Sequence, residues 1–366
     1  MEPFKNVFSL EFVNSLALEI SKVDKNFEVK NFTSYTLDED FDNKELKERM
    51  RHISQSLKNF LPNSYKKSIE ILMKITPSFN GLATMVLPDY VEVYGLNDLR
   101  LSIKALETFT KYGSSEFGVR PFLIKYPDEM IEQMCLWSKS NNVDVRRLAS
   151  EGIRPRLPWA MSLPFLKKDP TKIIPILENL KDDESEYVRK SVANNINDIS
   201  KDHPNLVLCL MESWIGANKN RDWIVKHACR TLLKMGNSRA LFMFGYTKPN
   251  HIQVSKFEVD EKVILGQILS FSCELRSSSN LGKLRVEFAI YFMKKNNKLS
   301  KKVFKISEST CNKSSKIIHK SFSFKKITTR VYYAGIHEMA IIVNGQEYQK
   351  MAFLVEQDDL NIILNL

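Results

Sequence analysis

The spacing of apolar residues changes once along this chain, near "TKPNHIQV" (Thr247 to Val254), and no single secondary-structure period accommodates both sides of that joint. Upstream the interval is helical. In "YVRKSVANNINDI", Val188, Val192, Ile196 and Ile199 fall at i, i+4, i+8 and i+11, one apolar stripe on one helix. "MIEQMCLWSKS", "IIPILENLKDD", "NLVLCLMESWI" and "WIVKHACRTLLKMG" follow the same rule with short polar joints, and Gly236 stops the last. Downstream the period is two, in "ILSFSCELR", "LRVEFAIYFM", "SFSFKKITTR" and "HEMAIIVNGQEYQKMAFLV". Asn344-Gly345 between two alternating runs predicts a tight hairpin. The expected organisation is two domains, helical over 1–250 and all-β over 251–366, and 366 residues suffice to bury two cores.

Within the helical part, "VRRLASEG" from Val145, "VRKSVANN" from Val188 and "IVKHACRT" from Ile224 share an apolar-basic pattern. Separations of roughly 36 to 43 residues suit two-helix HEAT-like repeats, which bury their apolar faces only by stacking into a curved solenoid. The β part, with about seven short strands in about 110 residues, reads as an immunoglobulin-like sandwich, although no Cys…Trp…Cys core signature is present. The fold class expected is therefore an all-α repeat solenoid followed by a small all-β sandwich.

The chain carries 54 Lys and Arg against 43 Asp and Glu, a formal charge of +11, which favours a polyanionic partner: DNA, RNA or an anionic lipid surface. The charge is concentrated from Lys294 to Lys326, where eleven lysines, among them Lys294, Lys295, Lys301 and Lys302, accompany Glu308 as the one acidic residue. Such a run is either a solvated face or a surface that tracks phosphates without reading sequence. No apolar run approaches the ~18 residues of a membrane span. "MEPFKNVFSL" lacks the pattern of a secretory signal, and five scattered cysteines without CxxC spacing point away from a disulfide framework or zinc site, so a reducing cytoplasm is expected. No phosphate loop, GxGxxG, GxSxG or HExxH motif occurs, and no cofactor or metal is expected. His203 in "KDHP" reads as a helix-end residue.

The segment with the most unusual chemistry is "RRLASEGIRPRLPW", which sets Arg146, Arg147, Arg154 and Arg156 around Glu151 and Trp159. Read alone, it is a repeat-helix end with solvated arginines and a packed tryptophan. Its neighbours add a pattern. "SSEFGVRPFL" offers Glu116 with Arg120, and "YVRKSVANNINDISKDHP" offers Asp198 with Arg189 and Lys190. At ~100° per residue Asp198 sits about a third of a turn from the apolar stripe and is expected to point away from the core. Stacked repeats would gather three such acids on one concave face.

These three motifs resemble those of the AlkC branch of the AlkC/AlkD-like DNA alkylation-repair glycosylases. The resemblance extends to "LPDYVEVYGL" and to an appended Ig-like domain with "LRVEFAIYF" and "YYAGIHEMAIIVNG". Gly118 and Val119 depart from the family's usual "SEFAIRPFL" but leave the acid and the arginine in place. The resemblance implies removal of N3-methylated bases, 3-methyladenine and 3-methylcytosine, from duplex DNA. It also implies contact with backbone and sugar in place of the base extrusion usual among glycosylases. A base methylated at N3 is cationic and leaves readily, so carboxylates need only stabilise the sugar cation and position water. Glu151 is the first choice for that role, with Glu116 and Asp198 beside it, and Trp159 supplies a π face. Arg120, Arg146, Arg147, Arg154, Arg156, Arg189 and Lys190 are expected to bind phosphates, each with an ion pair to a nearby acid as the competing use. Arg147 and Arg154 stand at i−4 and i+3 from Glu151, on its face if the helix persists past Pro155. Without a Schiff-base lysine the expected enzyme leaves the abasic site uncleaved, and a monomer is expected. A noncatalytic repeat scaffold that binds nucleic acid is the alternative; it has no use for acids facing a polyanion.

Overall fold

The computed structural model describes residues 3–328 and 330–357. Contacts divide the chain into two units, Met1–Ala228 and Cys229–Leu366.

The first unit is a run of helices: α1 (Leu10–Val23), α2 (Val29–Thr36), α3 (Leu46–Phe60), α4 (Tyr65–Ile75), α5 (Val86–Tyr94), α6 (Leu99–Thr110), α7 (Arg120–Lys125), α8 (Pro127–Trp137), α9 (Val143–Glu151), α10 (Pro164–Lys168), α11 (Ile174–Leu180), α12 (Glu186–Ile199), α13 (Pro204–Trp214) and α14 (Lys219–Ala228). The stripe of Val188, Val192, Ile196 and Ile199 is buried, as periodicity requires. The three related segments become α9, α12 and α14, and α12 packs against both of the others. A helix held between two neighbours buries more than one stripe. Accordingly Ser191, Asn195, Asn197 and Asp198 of α12 are buried as well. The expectation that Asp198 points away from the core is corrected on this ground, since it is only 2% exposed.

The second unit opens with α15 (Arg230–Lys234) and α16 (Ser238–Met243) and continues, among the described residues, into eight strands. The single helix expected over Trp223–Gly236 is thus interrupted at Cys229 (φ −81°, ψ 2°). Strands β1 (Ile252–Val259), β3 (Ile268–Ser277) and β6 (Ser315–Ser323) form one sheet in the order β1-β3-β6. Strands β2 (Lys262–Ile264), β4 (Gly282–Met293), β5 (Leu299–Cys311), β7 (Gly335–Val343) and β8 (Gln346–Glu356) form the other, in the order β2-β8-β7-β4-β5. Pairing is antiparallel except between β2 and β8. Alternate residues of both sheets, among them Leu269, Phe271, Val286, Phe288, Met339 and Ile341, make the core. The run "SFSFKKITTR" supplies only the end of β6, because Lys325 and Lys326 break its alternation; Thr329 lies outside the described residues.

Asn344 and Gly345 turn β7 into β8 with φ of 44° and 83°, the signature of a two-residue type I′ hairpin. The same turn ties the sheet to its helices. Asn344 Nδ2 donates to Thr247 O at 2.9 Å and Lys283 O at 3.0 Å, while its Oδ1 accepts from Arg285 N at 2.7 Å. A Cβ on Gly345 would lie 2.5 Å from Leu241 Cδ1 and 3.0 Å from Gly236 Cα. Gly345→Ala, which adds this clash to an unfavourable φ, is expected to destabilise the protein by about 2 kcal/mol, read as a lower urea midpoint; an unchanged midpoint contradicts the packing described.

Candidate active site

Asn142 caps α9, its Oδ1 accepting from Asp144 N and Val145 N at 3.0 and 3.1 Å. The helix buries Val145, Leu148 and Ala149 and ends on Glu151. Glu116 sits in the connection ahead of α7, where Gly118 approaches α5 closely; a Cβ there would lie 2.7 Å from Pro88 O, which accounts for the glycine. Asp198 comes from the last turn of α12.

These three carboxylates stand in one chain of alternating charge. Arg147 Nη1 bonds Glu116 Oε2, and its Nη2 lies 3.6 Å from Glu151 Oε1. Arg154 donates from Nη1 to Glu151 Oε1 at 2.7 Å and from Nε to Asp198 Oδ2 at 2.9 Å. Lys201 Nζ closes the chain on Asp198 Oδ1 at 2.9 Å. Although α9 stops at Glu151, the turn after it keeps Arg154 within reach. Neutral donors complete the acids: Ser114 Oγ donates to Glu116 Oε2 at 3.0 Å, and Ser191 Oγ to Glu151 Oε2 at 2.6 Å. Ser191 is held in turn by Ser150, with the two Oγ atoms 2.7 Å apart.

Three carboxylates, two guanidiniums and one ammonium cancel formally. Burial works against the charged forms of Arg147 and Arg154, but the carboxylates outweigh it and hold both above the ordinary arginine value. Arg120 lies beside the chain without an acid of its own; burial, then the charge of Arg154, push it down to about 10.

The arginines expected to bind phosphates are used internally. Arg146 pairs with Asp183 at 2.6 Å, Arg156 bonds Asp202 at 2.7 Å, and Arg189 donates to Asp183 O and Glu184 O at 2.7 and 2.8 Å. Arg120 is 0% exposed and donates to Met161 O and Gly152 O. It cannot touch DNA in this conformation. Stacking brings Arg120, Arg146 and Arg156 against carbonyls or carboxylates of other elements, whereas Arg189 bonds the turn that precedes its own helix. Lys190 is exposed. Trp159, in contrast to a packed tryptophan, is 63% exposed with φ 63°.

Sequence reasoning assigned no chemistry to "LPDYVEVYGL". There Asp89, on α5, takes Arg51 Nε and Nη2 at 2.9 Å each, while Arg51 Nη2 reaches Glu92 Oε1 at 2.7 Å. Two carboxylates share one guanidinium, and burial, then the charge of Asp89, raise Glu92 above its ordinary value. Tyr187 was also overlooked; it is half-exposed, with its ring 4.9 Å from the Arg147 guanidinium. His203 stands at the N-terminus of α13, its Nε2 2.8 Å from Lys167 O.

In the second unit, Lys294, Lys295 and Lys302 line a cleft of about 570 Å³ with Arg330 and Tyr333. Arg330 was not singled out from sequence; its guanidinium lies 4.7 Å from the Phe292 ring and 5.8 Å from that of Tyr332. Lys301 instead pairs with Glu347 at 2.5 Å.

Arg154→Met, which leaves Glu151 and Asp198 buried without their shared cation, is expected to cost about 3 kcal/mol by chemical denaturation. A loss below about 1 kcal/mol would mean the chain is solvated. Glu92 gives a prediction of opposite sign. Its folded-state pKa is raised, so the ionised carboxylate opposes folding above that pKa and the penalty fades as pH falls towards the unfolded value. Glu92→Gln should therefore raise the urea midpoint at pH 7.5, with the gain shrinking towards pH 4.

Residues 82–232 match the family described as DNA alkylation repair enzyme, and residues 253–357 match that of the C-terminal Ig-like domain of the uncharacterised protein YhaZ. The chain is 44% identical to the uncharacterized protein YhaZ of Bacillus subtilis strain 168, over 97% of its own length and all of that protein. It superimposes with a TM-score of 0.92 on the Pseudomonas fluorescens alkylpurine DNA glycosylase AlkC bound to DNA containing an abasic site analog, at 35% identity over 97% of this chain and all of that one. With full-length matches of this kind, this protein belongs to the AlkC-type family of DNA alkylation repair enzymes and has their fold, a helical repeat region followed by an Ig-like domain.

Proposed function

We propose that the protein is a monofunctional DNA glycosylase that hydrolyses the N-glycosidic bond of cationic N3-methylated bases, 3-methyladenine and 3-methylcytosine, in duplex DNA. The observation that carries this reading is the linkage of Glu116, Glu151 and Asp198, from three successive parts of the repeat, in one chain of charge, with the exposed Trp159 on the same connection as Arg154. The AlkC relative, bound to DNA with an abasic site analog, supports DNA as the partner.

The chemistry follows from the lesion. Methylation at N3 places positive charge on the base, so departure leaves the electron pair of the glycosidic bond with a neutral leaving group. The deficit passes to the deoxyribose, and fixed carboxylates offset it without reorganising. Arg147 and Arg154 hold those carboxylates in place. Each carboxylate oxygen has two lone pairs, so Glu151, although bonded to Arg154 and Ser191, retains acceptor capacity for the sugar or for a water. Glu116, less deeply buried, has one oxygen that the chain of charge does not use. Trp159 offers a π face to the cationic base. No lysine nucleophile takes part, so the abasic site stays intact.

Binding draws on other cations. Lys190 on the repeat and Lys294, Lys295 and Lys302 with Arg330 on the Ig-like domain are the groups proposed to meet phosphates. The proposed enzyme acts as a monomer in a reducing cytoplasm, where its five cysteines stay free.

Glu151→Gln is expected to bind methylated duplex DNA as the unaltered protein does and to release 3-methyladenine about 100-fold more slowly. Chromatography of free base and fluorescence anisotropy read the two quantities. Absence of any free base with the unaltered protein would overturn the assignment in favour of a noncatalytic DNA-binding scaffold.

A further inference from the structure

Three carbonyl oxygens of the connection from Gly152 to Met161 accept hydrogen bonds from cations on other elements. Arg120, at the start of α7, donates from Nε to Met161 O at 2.6 Å and from Nη1 to Gly152 O at 2.9 Å. Lys47, on α3, donates from Nζ to Trp159 O at 2.8 Å. Between these anchors Trp159 adopts φ 63° while 63% of it remains exposed. A bulky residue in the left-handed region is disfavoured and persists only where its surroundings over-determine the backbone. Packing offers little reason for it here, because an exposed indole buries little.

We infer that Lys47 and Arg120 are positioning residues, which fix the strained backbone of Trp159 so that its indole stays aimed at the reacting nucleotide. This rests on the proposed placement of Trp159 in the site. Arg120 is suited to the task because a fully buried guanidinium, with Nη2 lacking a partner, cannot exchange its two carbonyl acceptors for water. Lys47 works from the outside. Its side chain is exposed, yet its ammonium is doubly constrained, by Trp159 O and by the Phe117 ring 5.3 Å away. A lysine spent on a backbone carbonyl contributes little to overall stability, so its removal should leave the fold intact and free the loop.

The test combines a double-mutant cycle with a direct view of the indole. Lys47→Met is expected to slow single-turnover release of 3-methyladenine from methylated duplex roughly tenfold without weakening DNA binding. In a Trp159→Ala background the same change should have no further effect, because there is no indole left to aim. Lys47→Arg, which keeps the donor, should restore the rate. In protein labelled with 5-fluorotryptophan, the ¹⁹F resonance lost in Trp159→Ala identifies Trp159 among the four tryptophans. Lys47→Met should shift or broaden that resonance alone, and Arg120→Lys, which keeps charge but not the two-pronged reach, should do the same.

Additive losses in the cycle, a loss confined to DNA affinity, or an unmoved Trp159 resonance would overturn the inference. Equal rates for the unaltered protein and Trp159→Ala would instead refute the placement of Trp159 in the site. The fluorine spectrum would then still decide whether the clamp exists.

Discussion

Three carboxylates cannot be brought together inside stacked helices without cations between them. The chain Glu116, Arg147, Glu151, Arg154, Asp198 and Lys201 is how this fold meets that requirement. Each guanidinium bridges acids from different helices or turns, so the chain also fixes how neighbouring repeats stack: sliding one past the other would strand a buried charge. Neutralisation answers a second difficulty. A cluster of bare acids would repel DNA, whereas paired acids present little net charge at a distance and, in the proposed reaction, would still face the sugar cation.

The Ig-like unit uses a similar device for a different end. Arg285, nearly buried, bonds both Glu287 and Glu308, and burial holds Glu287 above the usual carboxylate value. Here the pairing joins β4 to β5. The cationic residues left over, chiefly Lys294, Lys295 and Lys302, gather at one cleft around a guanidinium already ordered against aromatic rings. An ordered guanidinium loses less entropy on meeting a phosphate than a free lysine does.

Much of the architecture could be read from apolar spacing alone, because periods of 3.6 and 2 are local properties. The stripe on α12 and the sandwich core follow from it, and the Asn344-Gly345 turn follows from an equally local preference for positive φ. What spacing could not supply was distance between repeats. A helical wheel placed Asp198 off the stripe, and only the packing of α9 and α14 on either side of α12 explains its burial. The same blindness affected the arginines, whose charge is visible in the sequence but whose partners lie some 30 to 45 residues away, as with Arg147 and Glu116 or Arg154 and Asp198. Asp89 was passed over because a single acid in "LPDY" gives no hint of Arg51 beneath it.

The contact of Gly345 with Gly236 bears on where this chain can be divided. The change of apolar period falls after Thr247, yet α15 and α16 belong by contacts to the β-sandwich, with Leu241 against the hairpin tip and Thr247 O bound by Asn344. A helical fragment ended at residue 250 would carry two short helices stripped of the surface they cover, leaving an apolar patch open to aggregation. Severing after Ala228 keeps each of those helices with its sheet.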